Sequence, residues 1–357
     1  MMFRKSICIK ATAIIISFFM LLIINPSAAN AEVFAKVGTA GLQFLKIGVG
    51  AEALGMGQAY TPYVDNASAT YWNPAGLANV ETRPQLFLHH TEYVAGIGYE
   101  YASFAFPTYY GTFALSTGLL HMPYMDVIDD ESFGPTGEEF TCSDISVALT
   151  YANKLTDRFM IGLTGKYLRE DLDQYNVDGW SVDLGSQYNT GWRDVTIGMA
   201  LRNFGPDLKY KIDEDDDGDF DEDPFDLLDN DLDGLIDEDK EELAFKLPMN
   251  FSLGLSMNLF ESDLQSLYGV FQLDNCVDRK ETYNLGMEYN ISNFSLRAGK
   301  QFNFDAQDFS LGLGWKVATS FAVINIDIAY RDFGNMQKNW DDSLFPGPKE
   351  TSLIMGF

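Results

Sequence analysis

Hydrophobic and polar residues alternate along most of this chain. In residues 251–259, Phe, Leu, Leu, Met and Leu occupy every second position, and Ser, Gly, Ser and Asn lie between them. The C-terminal residues 351–357 repeat the alternation, which ends at Phe357. A period of two residues predicts β-strands. One apolar face and one small or polar face, in segment after segment, is typical of a transmembrane β-barrel with lipid outside and water inside.

Fourteen segments show this alternation, an even number as in single-chain bacterial barrels. Their lengths lie near the roughly 9–11 residues that a tilted strand needs to cross a bilayer. We therefore predict an all-β fold, a transmembrane antiparallel barrel of about 14 strands over residues 84–357. A soluble β-sandwich or propeller is the alternative, but it leaves the apolar outward face unexplained. The predicted strands are 84–91, 97–107, 111–121, 142–153, 158–169, 178–188, 194–203, 248–259, 267–274, 281–290, 294–302, 308–317, 321–331 and 350–357.

The connections between these segments alternate in length. If the C-terminus is periplasmic, the connections that fall on the periplasmic side are short, and those on the other side include the longest ones. Short periplasmic turns and long outer loops are the rule for outer-membrane barrels. The alternation therefore supports both the strand count and the orientation. The short connections include 109–111, 189–192, 290–293 and 318–320, and the long ones are 122–141, 204–247 and 332–349.

The N-terminus has the pattern of a secretory signal peptide, residues 1–31. Arg4, Lys5 and Lys10 precede or open an apolar stretch at 11–24, and Ala-Asn-Ala at 29–31 fits a cleavage site. We expect cleavage near Ala31 and a mature chain located in the bacterial outer membrane, in contact with its lipid. No other run of about 18 apolar residues is present, so no transmembrane helix is predicted.

Charge and composition exclude one class of function. The formal net charge is −28, and aromatic residues make up 14% of the chain. Binding to nucleic-acid phosphates needs a basic surface, so no nucleic-acid partner is expected. The aromatic content suits the rings that line both membrane boundaries of a barrel.

Residues 32–83 precede the first strand and are rich in glycine. They contain a Gly-Met-Gly run at 55–57 and the run Asn-Pro-Ala-Gly-Leu-Ala at 73–78. Frequent glycine prevents a long helix and permits tight turns and close packing. We predict a hatch that enters the barrel lumen from the periplasmic side; a loose periplasmic extension is the alternative. The residues of the predicted hatch motif are Gly55, Met56, Gly57, Asn73, Pro74, Ala75 and Gly76.

The same two runs, together with their flanking residues over about 40–80, resemble the N-terminus of the PorV/PorQ family. That family belongs to the larger group of FadL-type long-chain fatty-acid transporters. The resemblance implies a fourteen-strand barrel with an N-terminal hatch in its lumen. It also implies two alternative roles. One is an accessory role in type IX-like protein secretion, with partners among secreted cargo signal domains or secretion-machinery proteins. The other is a channel for hydrophobic small molecules. A structural barrel with partner-binding outer loops is a third hypothesis.

An acidic insertion at 207–245 lies in a predicted extracellular loop, and its residues 213–242 hold 18 Asp or Glu and one Lys. Two runs in it follow D-x-D-x-D-G with Asp at position 9, a spacing that lets several oxygen ligands converge on one calcium ion. Position 12, usually Glu, is Pro224 or Lys240, so a solvated acidic loop is the alternative. We predict structural Ca²⁺. The candidate ligands are Asp213, Asp215, Asp217, Asp219, Asp221 and Asp223 in the first run, and Asp229, Asp231, Asp233, Leu235, Asp237 and Asp239 in the second.

Enzymatic activity has little support in the sequence, and none is predicted. His89 and His90 are adjacent on a strand and point to opposite faces, so they cannot share a metal. Cys142 and Cys276 could form a disulfide or remain two thiols. Mixed charges predicted to face the lumen would pair with each other or hold the hatch; a substrate path is the alternative. These charges are Asp183, Glu288, Arg297, Lys316, Asp327 and Arg331.

Overall fold

The structure of the protein, a computed structural model, describes residues 38–80, 82–93, 96–129, 134–173, 175–210, 244–304, 309–332 and 349–356. The predicted signal peptide 1–31, the first residues of the predicted hatch and both predicted calcium loops, 213–223 and 229–239, lie outside the described residues.

Fourteen antiparallel strands close into one barrel, which confirms the predicted fold class. Each strand pairs with its neighbours along the chain, and β1 closes the barrel on β18, with Gln85 opposite Gly356 and Leu88 opposite Leu353. The barrel strands are β1 (Gln85–Glu92), β2 (Gly98–Thr108), β3 (Gly111–His121), β6 (Cys142–Thr156), β7 (Phe159–Leu172), β8 (Tyr175–Asn189), β9 (Thr196–Phe204), β12 (Asn250–Ser262), β13 (Gln265–Cys276), β14 (Thr282–Ile291), β15 (Phe294–Phe302), β16 (Phe309–Ala318), β17 (Val323–Arg331) and β18 (Lys349–Gly356).

Two small hairpins lie in long connections that the sequence predicted only as loops. Strands β4 (Met125–Asp129) and β5 (Gly134–Phe140) pair within the first of them. Strands β10 (Leu208–Lys209) and β11 (Ala244–Phe245) pair across the acidic insertion. The β10–β11 pair joins residues far apart in sequence, and each strand is too short for an alternation to be visible. We call the barrel end with these connections the long-loop end, and the other the short-turn end.

The alternation along β12 follows the two faces of the wall. Phe251, Leu253 and Leu255 point outward and are about 40% exposed or more, whereas Ser252 and Ser256 point inward and are buried. In a soluble protein the apolar face would be the buried one. A barrel with this arrangement buries its outer face in hydrocarbon and keeps polar groups inside, where they contact the hatch or water.

Residues 38–80 form the hatch, which fills the lumen with four short helical segments. They are a 3₁₀ helix at Gln43–Lys46, α1 (Ala51–Gly55), α2 (Ala69–Trp72) and a 3₁₀ helix at Pro74–Asn79. Asn73 caps the last of these, because its side-chain oxygen accepts a hydrogen bond from the Ala75 amide at 3.1 Å. Within the described residues, no helix has the length and apolar character needed to cross a membrane.

The hatch runs through the lumen from one end of the barrel to the other. At the long-loop end, the Gly41 amide donates to the Lys246 carbonyl at 3.0 Å, and Lys46 pairs with Asp278 at 2.7 Å. At the short-turn end, Asp65 lies beside a cavity that Asn189 also lines. The described part of the hatch therefore begins at the long-loop end and leads into β1 at the short-turn end, while its entry from the periplasmic side stays a prediction. The contacts that place its start join residues some 200 positions apart, so no local pattern reports them.

Candidate functional site

An aromatic cluster forms the centre of the hatch. Trp72 is almost completely buried, and its indole N–H donates to the Val49 carbonyl at 2.8 Å. Tyr71 packs edge-on against Trp72, with ring centroids 5.0 Å apart. The Arg202 guanidinium, from β9, lies over both rings at 5.1 and 5.4 Å. These ring and cation–π contacts join the hatch to the wall near the long-loop end.

A set of inward-facing wall glycines lies in close contact with the hatch, and we call it the glycine belt. A Cβ placed on any of its members would lie less than 3.2 Å from an atom of the hatch. Side chains at these positions would therefore push the hatch away from the wall. The belt consists of Gly162, Gly185, Gly198, Gly254, Gly286, Gly299 and Gly312, on seven of the fourteen strands.

The Gly-Met-Gly run of the predicted hatch motif packs on one part of the belt. Gly55, at the end of α1, lies against the backbone of Gly312 on β16. Met56 and Gly57 lie against the backbones of Gly286 and Gly299 on β14 and β15. Gly57 also has a φ of +64°, in the region that favours glycine. Two requirements, the turn and the close approach, thus explain this run.

The second run of the motif packs on another part of the belt. Asn73 donates to the carbonyls of Thr61 and Ser186, at 3.0 and 3.1 Å, and so joins the hatch to itself and to β8. Pro74 and Ala75 lie against Gly162 on β7. Gly76 lies so close to Val64 that no side chain would fit between them. The motif residues therefore position the hatch, and they do not converge on a common pocket.

One buried arginine joins the hatch to three strands. Arg297, on β15, contacts Glu288 on β14 at 2.6 Å, Asp327 on β17 at 2.5 Å and Glu52 of α1 at 3.4 Å. Glu288 also accepts hydrogen bonds from Tyr63 of the hatch at 2.8 Å and from Asn290 at 2.7 Å. Three carboxylates thus share one guanidinium, whose planar fork can serve several oxygens at once. We call these four charged residues the Arg297 cluster.

The cluster has more carboxylates than one cation can neutralise. Burial raises the pKa of Glu52 to about 8; Arg297 opposes the shift, and repulsion from Glu288 and Asp327 adds to it. Glu52 is therefore mostly protonated at neutral pH, and it still bonds Asn66 at 3.4 Å through its second oxygen. The sequence predicted the inward direction of the three wall charges. It did not predict that Glu52 joins the cluster. The hatch lacks the two-residue period of a strand, so the direction of the Glu52 side chain could not be inferred.

A polar chamber lies between the Arg297 cluster and the short-turn end. Its volume is about 570 Å³. Carboxylates and amides dominate its lining, and Lys316 is its second cation beside Arg297. Such a lining suits water and polar groups better than a hydrophobic solute. The chamber side chains of the hatch and wall are Glu52, Tyr63, Asp65, Asn66, Asn79, Gln85, Glu288, Asn290, Asn293, Arg297, Lys316, Asn325 and Asp327.

The other predicted candidates are dispersed. Asp183, on β8, pairs with Lys166 at 2.6 Å and accepts a hydrogen bond from the Asn203 amide at 2.7 Å. His89 is buried in the lumen, and its partner in sequence His90 points outward to Glu100 at 2.6 Å. Cys142 and Cys276 are free thiols. Arg331 is buried at the inward face of β17. These pairs agree with the hypothesis that charges in the lumen pair with each other or hold the hatch.

Metal-binding geometry is not found in the described part of the chain, where no group of three or more His, Cys, Asp or Glu side chains could hold an ion. The twelve predicted calcium ligands are in the undescribed insertion. The structure therefore leaves the calcium prediction as it stood.

Comparison with known proteins finds likeness in fold. No family model matches the sequence, and no curated protein matches it. The Pseudomonas putida toluene transporter TodX has a similar structure, with a TM-score of 0.51, 12% identity, and coverage of 87% of this chain and 96% of that one. A Pseudomonas aeruginosa FadL homologue is similar at a TM-score of 0.50, with 12% identity and coverage of 87% and 97%. The chain thus has the fold of the FadL-type fourteen-strand barrels, while its predicted place in the PorV/PorQ family stays a prediction.

Proposed function

We propose that this protein is an outer-membrane channel for hydrophobic small molecules, with its hatch as the gate. The main support is a closed barrel whose fold matches a toluene transporter and a FadL homologue over 87% of the chain. The apolar outward face and the predicted signal peptide support an outer-membrane location. Of the two roles implied by the sequence, solute transport thus has more support than protein secretion.

The packing of the hatch suggests how passage would be controlled. Its aromatic cluster fills the lumen towards the long-loop end, and the polar chamber lies at the short-turn end. A solute that enters from the long-loop end therefore meets Tyr71 and Trp72, with Arg202 over their rings, before it reaches the polar chamber. Passage requires part of the hatch to move, and movement of α1 would break the contact between Glu52 and Arg297.

Uptake by whole cells tests the proposal, because the outer leaflet of the outer membrane is the barrier that such a channel would bypass. We would express the protein in a Gram-negative host that lacks its own hydrophobic-solute channel. Initial uptake of labelled toluene and of labelled oleate, at low concentration, would then be measured. We expect a several-fold higher rate than in the same host with an unrelated outer-membrane barrel at equal abundance.

The control solute is a labelled disaccharide, whose uptake should stay unchanged because the hatch fills the lumen. Equal uptake of toluene and oleate in both hosts would contradict the proposal. A rise for all three solutes would indicate a leaky barrel and would contradict it too.

Protein secretion remains the alternative proposal, supported by the resemblance of the residues around the two hatch runs to the PorV/PorQ family. It predicts that exported proteins copurify with the barrel from native membranes. Mass spectrometry of the purified material would identify either such proteins or hydrophobic ligands, and recovery of exported cargo without solute uptake would favour secretion.

A further inference from the structure

An apolar groove lies on the outer, lipid-facing side of the barrel wall, across β13 to β17. Its volume is about 450 Å³. Large apolar side chains surround it, and the backbone at Arg297 and Gly312 lies at its floor. We call it the outer groove. The outward-facing residues that line it are Leu267, Met287, Tyr289, Leu296, Ala298, Leu311, Leu313, Ile328 and Tyr330.

Strand register explains why a groove forms at this place. Ala298 lies between Met287 on β14 and Leu311 on β16, directly opposite both. One step closer to the short-turn end, Leu296 lies between Tyr289 and Leu313. The single small side chain is thus surrounded by large ones. Since only a methyl group fills its position, the neighbouring side chains stand above it and leave a depression in the wall.

The lining also differs from the rest of the outer surface. Most outward-facing apolar side chains of this barrel are about 40–55% exposed, whereas Met287 is 7% exposed and Leu267 is 1% exposed. These two side chains are packed into the wall instead of extending from it. The groove therefore has a fixed apolar side as well as a fixed floor, as a preformed binding site does.

The position of the groove along the barrel axis shows that it faces the hydrocarbon layer of the membrane. Phe294 and Trp315 are directly opposite each other and stack at 6.4 Å near the short-turn end. Aromatic rings line the membrane boundary in barrels of this kind, so we place the boundary at this pair. Ala298 is four residues further along β15. At about 3.3 Å per residue and a tilt of about 40°, that is about 10 Å into the hydrocarbon. One half of the hydrocarbon layer is roughly 15 Å thick, so the groove lies within the half nearest the short turns.

The contents of such a groove must be apolar and must come from the membrane. A methylene group has about the volume of a water molecule, roughly 30 Å³, so the groove has room for on the order of 15 methylene groups. That is close to one acyl chain. Chains of the adjoining leaflet are already at this depth and at high concentration, whereas a transported solute would be rare there.

We propose that the outer groove is a specific binding site for one acyl chain of a phospholipid of the adjoining leaflet, which is periplasmic in the predicted orientation. The chain lies over Ala298, between the row of Met287 and Tyr289 on β14 and the row of Leu311 and Leu313 on β16. Contact with fixed side chains distinguishes it from the lipid that surrounds the rest of the barrel. The site does not depend on whether the protein transports solutes.

Photolabelling in vesicles tests this site. The full-length protein would be reconstituted into vesicles that contain phosphatidylethanolamine with a diazirine in mid-chain, at increasing mole fractions. Mass spectrometry would locate the labelled peptides after irradiation. We expect labelling of residues around Ala298 and Leu313 to saturate at low mole fraction, while labelling elsewhere on the wall rises in proportion to the probe.

The test variant is Ala298→Phe, which fills the groove from its floor. We expect it to lower saturable labelling at the groove about tenfold, the change that ~1.4 kcal/mol of lost contact produces. The matched control is Val147→Phe on β6, which also points outward and is seven strands away, on the opposite side of the barrel. Both changes face lipid, so both variants should fold, and labelling of the rest of the wall reports whether they do.

Two outcomes would overturn the proposal. Labelling that rises without saturation and is equal around the wall would mean that ordinary surrounding lipid is the only occupant. Displacement of the groove label by toluene or oleate, at concentrations that leave labelling elsewhere unchanged, would identify a solute site instead of a lipid site. Neither measurement depends on uptake activity. The photolabelling test of the lipid site therefore gives a clear result even if the protein transports no solute.

Discussion

Individual side chains in the Arg297 cluster hold the hatch to the wall through a contact that depends on protonation. Arg297, Glu288 and Asp327 are removed from bulk water, so each of these charges needs the others. Glu52 is the member that belongs to the hatch, and it is the least buried of the four, with an 18% exposed side chain. Its protonation state therefore decides how many negative charges surround the guanidinium.

The stability of the folded hatch should depend on pH through Glu52. Its pKa is about 8 in the folded protein and 4.5 for an unperturbed glutamate, so the folded state favours the protonated form. The associated stability is complete below about pH 4.5 and is lost as pH rises through about 8. We expect Glu52→Gln, which is always neutral, to differ least from the wild type at pH 5, close to the unperturbed pKa. At pH 9 it should be more stable by about 1–3 kcal/mol.

Urea unfolding followed by the gel shift of folded against unfolded barrel would measure this difference at pH 5, 7 and 9. Glu281→Gln, in the exposed loop before β14, is the matched control and should follow the wild type at every pH. A Glu52→Gln variant that loses stability equally at all three values would show that its carboxyl acts only by hydrogen bonding.

At the scale of the elements, the hatch packs closely on the wall because the strands carry glycine, which has no side chain, at the contact positions. The belt glycines of β14 to β16 receive Gly55, Met56 and Gly57, and those of β7 and β8 receive Asn73 and Pro74. A short motif in the hatch and isolated glycines in distant strands are thus two halves of one interface. Close backbone approach also lets a thin lumen hold some forty hatch residues.

Adding one methyl group to the belt should loosen the hatch. In Gly299→Ala, the new Cβ would overlap the backbone of Met56 and Gly57, and neither can move without moving α1. We expect a loss of about 1–3 kcal/mol, as for other overpacked sites. The change should also raise the rate at which protease cleaves the hatch. Urea unfolding and limited proteolysis in detergent would measure both effects.

Gly165→Ala on β7 is the control, because a Cβ there has no atom within 4 Å. It should change stability by less than about 0.5 kcal/mol. Equal behaviour of the two variants would contradict the close contact between Gly299 and the hatch.

The elements of the wall could be predicted from sequence, and those of the lumen could not. A strand period of two is local, so all fourteen segments and their inward faces followed from it. The glycine belt joins residues more than 80 positions apart, and the hatch segments are too short to show a period. The outer groove also escaped prediction, because Ala298 is unremarkable in sequence and becomes distinctive only once its cross-strand neighbours are known.

At the scale of the whole molecule, one connection carries much of the negative charge. The acidic insertion between β9 and β12 includes residues 213–242, which have a net charge of −17 from 18 acidic residues and one Lys. The strands that flank it, β10 and β11, pair and so fix both ends of the insertion at the barrel mouth. A bound cation would reduce the repulsion among its carboxylates.

Calcium should bind to this insertion in the complete protein. We expect titration calorimetry in detergent to give dissociation constants of about 10⁻⁴–10⁻³ M, as for extracellular calcium modules. A variant with Asn in place of Asp215, Asp217, Asp231 and Asp233 should lose the signal, since those carboxylates are predicted ligands. Calcium should also slow proteolysis of the insertion in the wild type only. Absence of heat at millimolar calcium, or equal heat from the variant, would contradict the prediction.

The course of the hatch has a consequence for how the molecule is made. The hatch directly precedes β1 in sequence, passes from one mouth of the barrel to the other, and is held by belt glycines on seven strands. A folded plug of this kind cannot be threaded through a ring that is already shut. If the hatch folds before the barrel closes, the β1–β18 join must form last, around a hatch that is already inside. In that order of assembly, the strands fold around the N-terminal segment, and β1 stays unpaired on one side until β18 has formed.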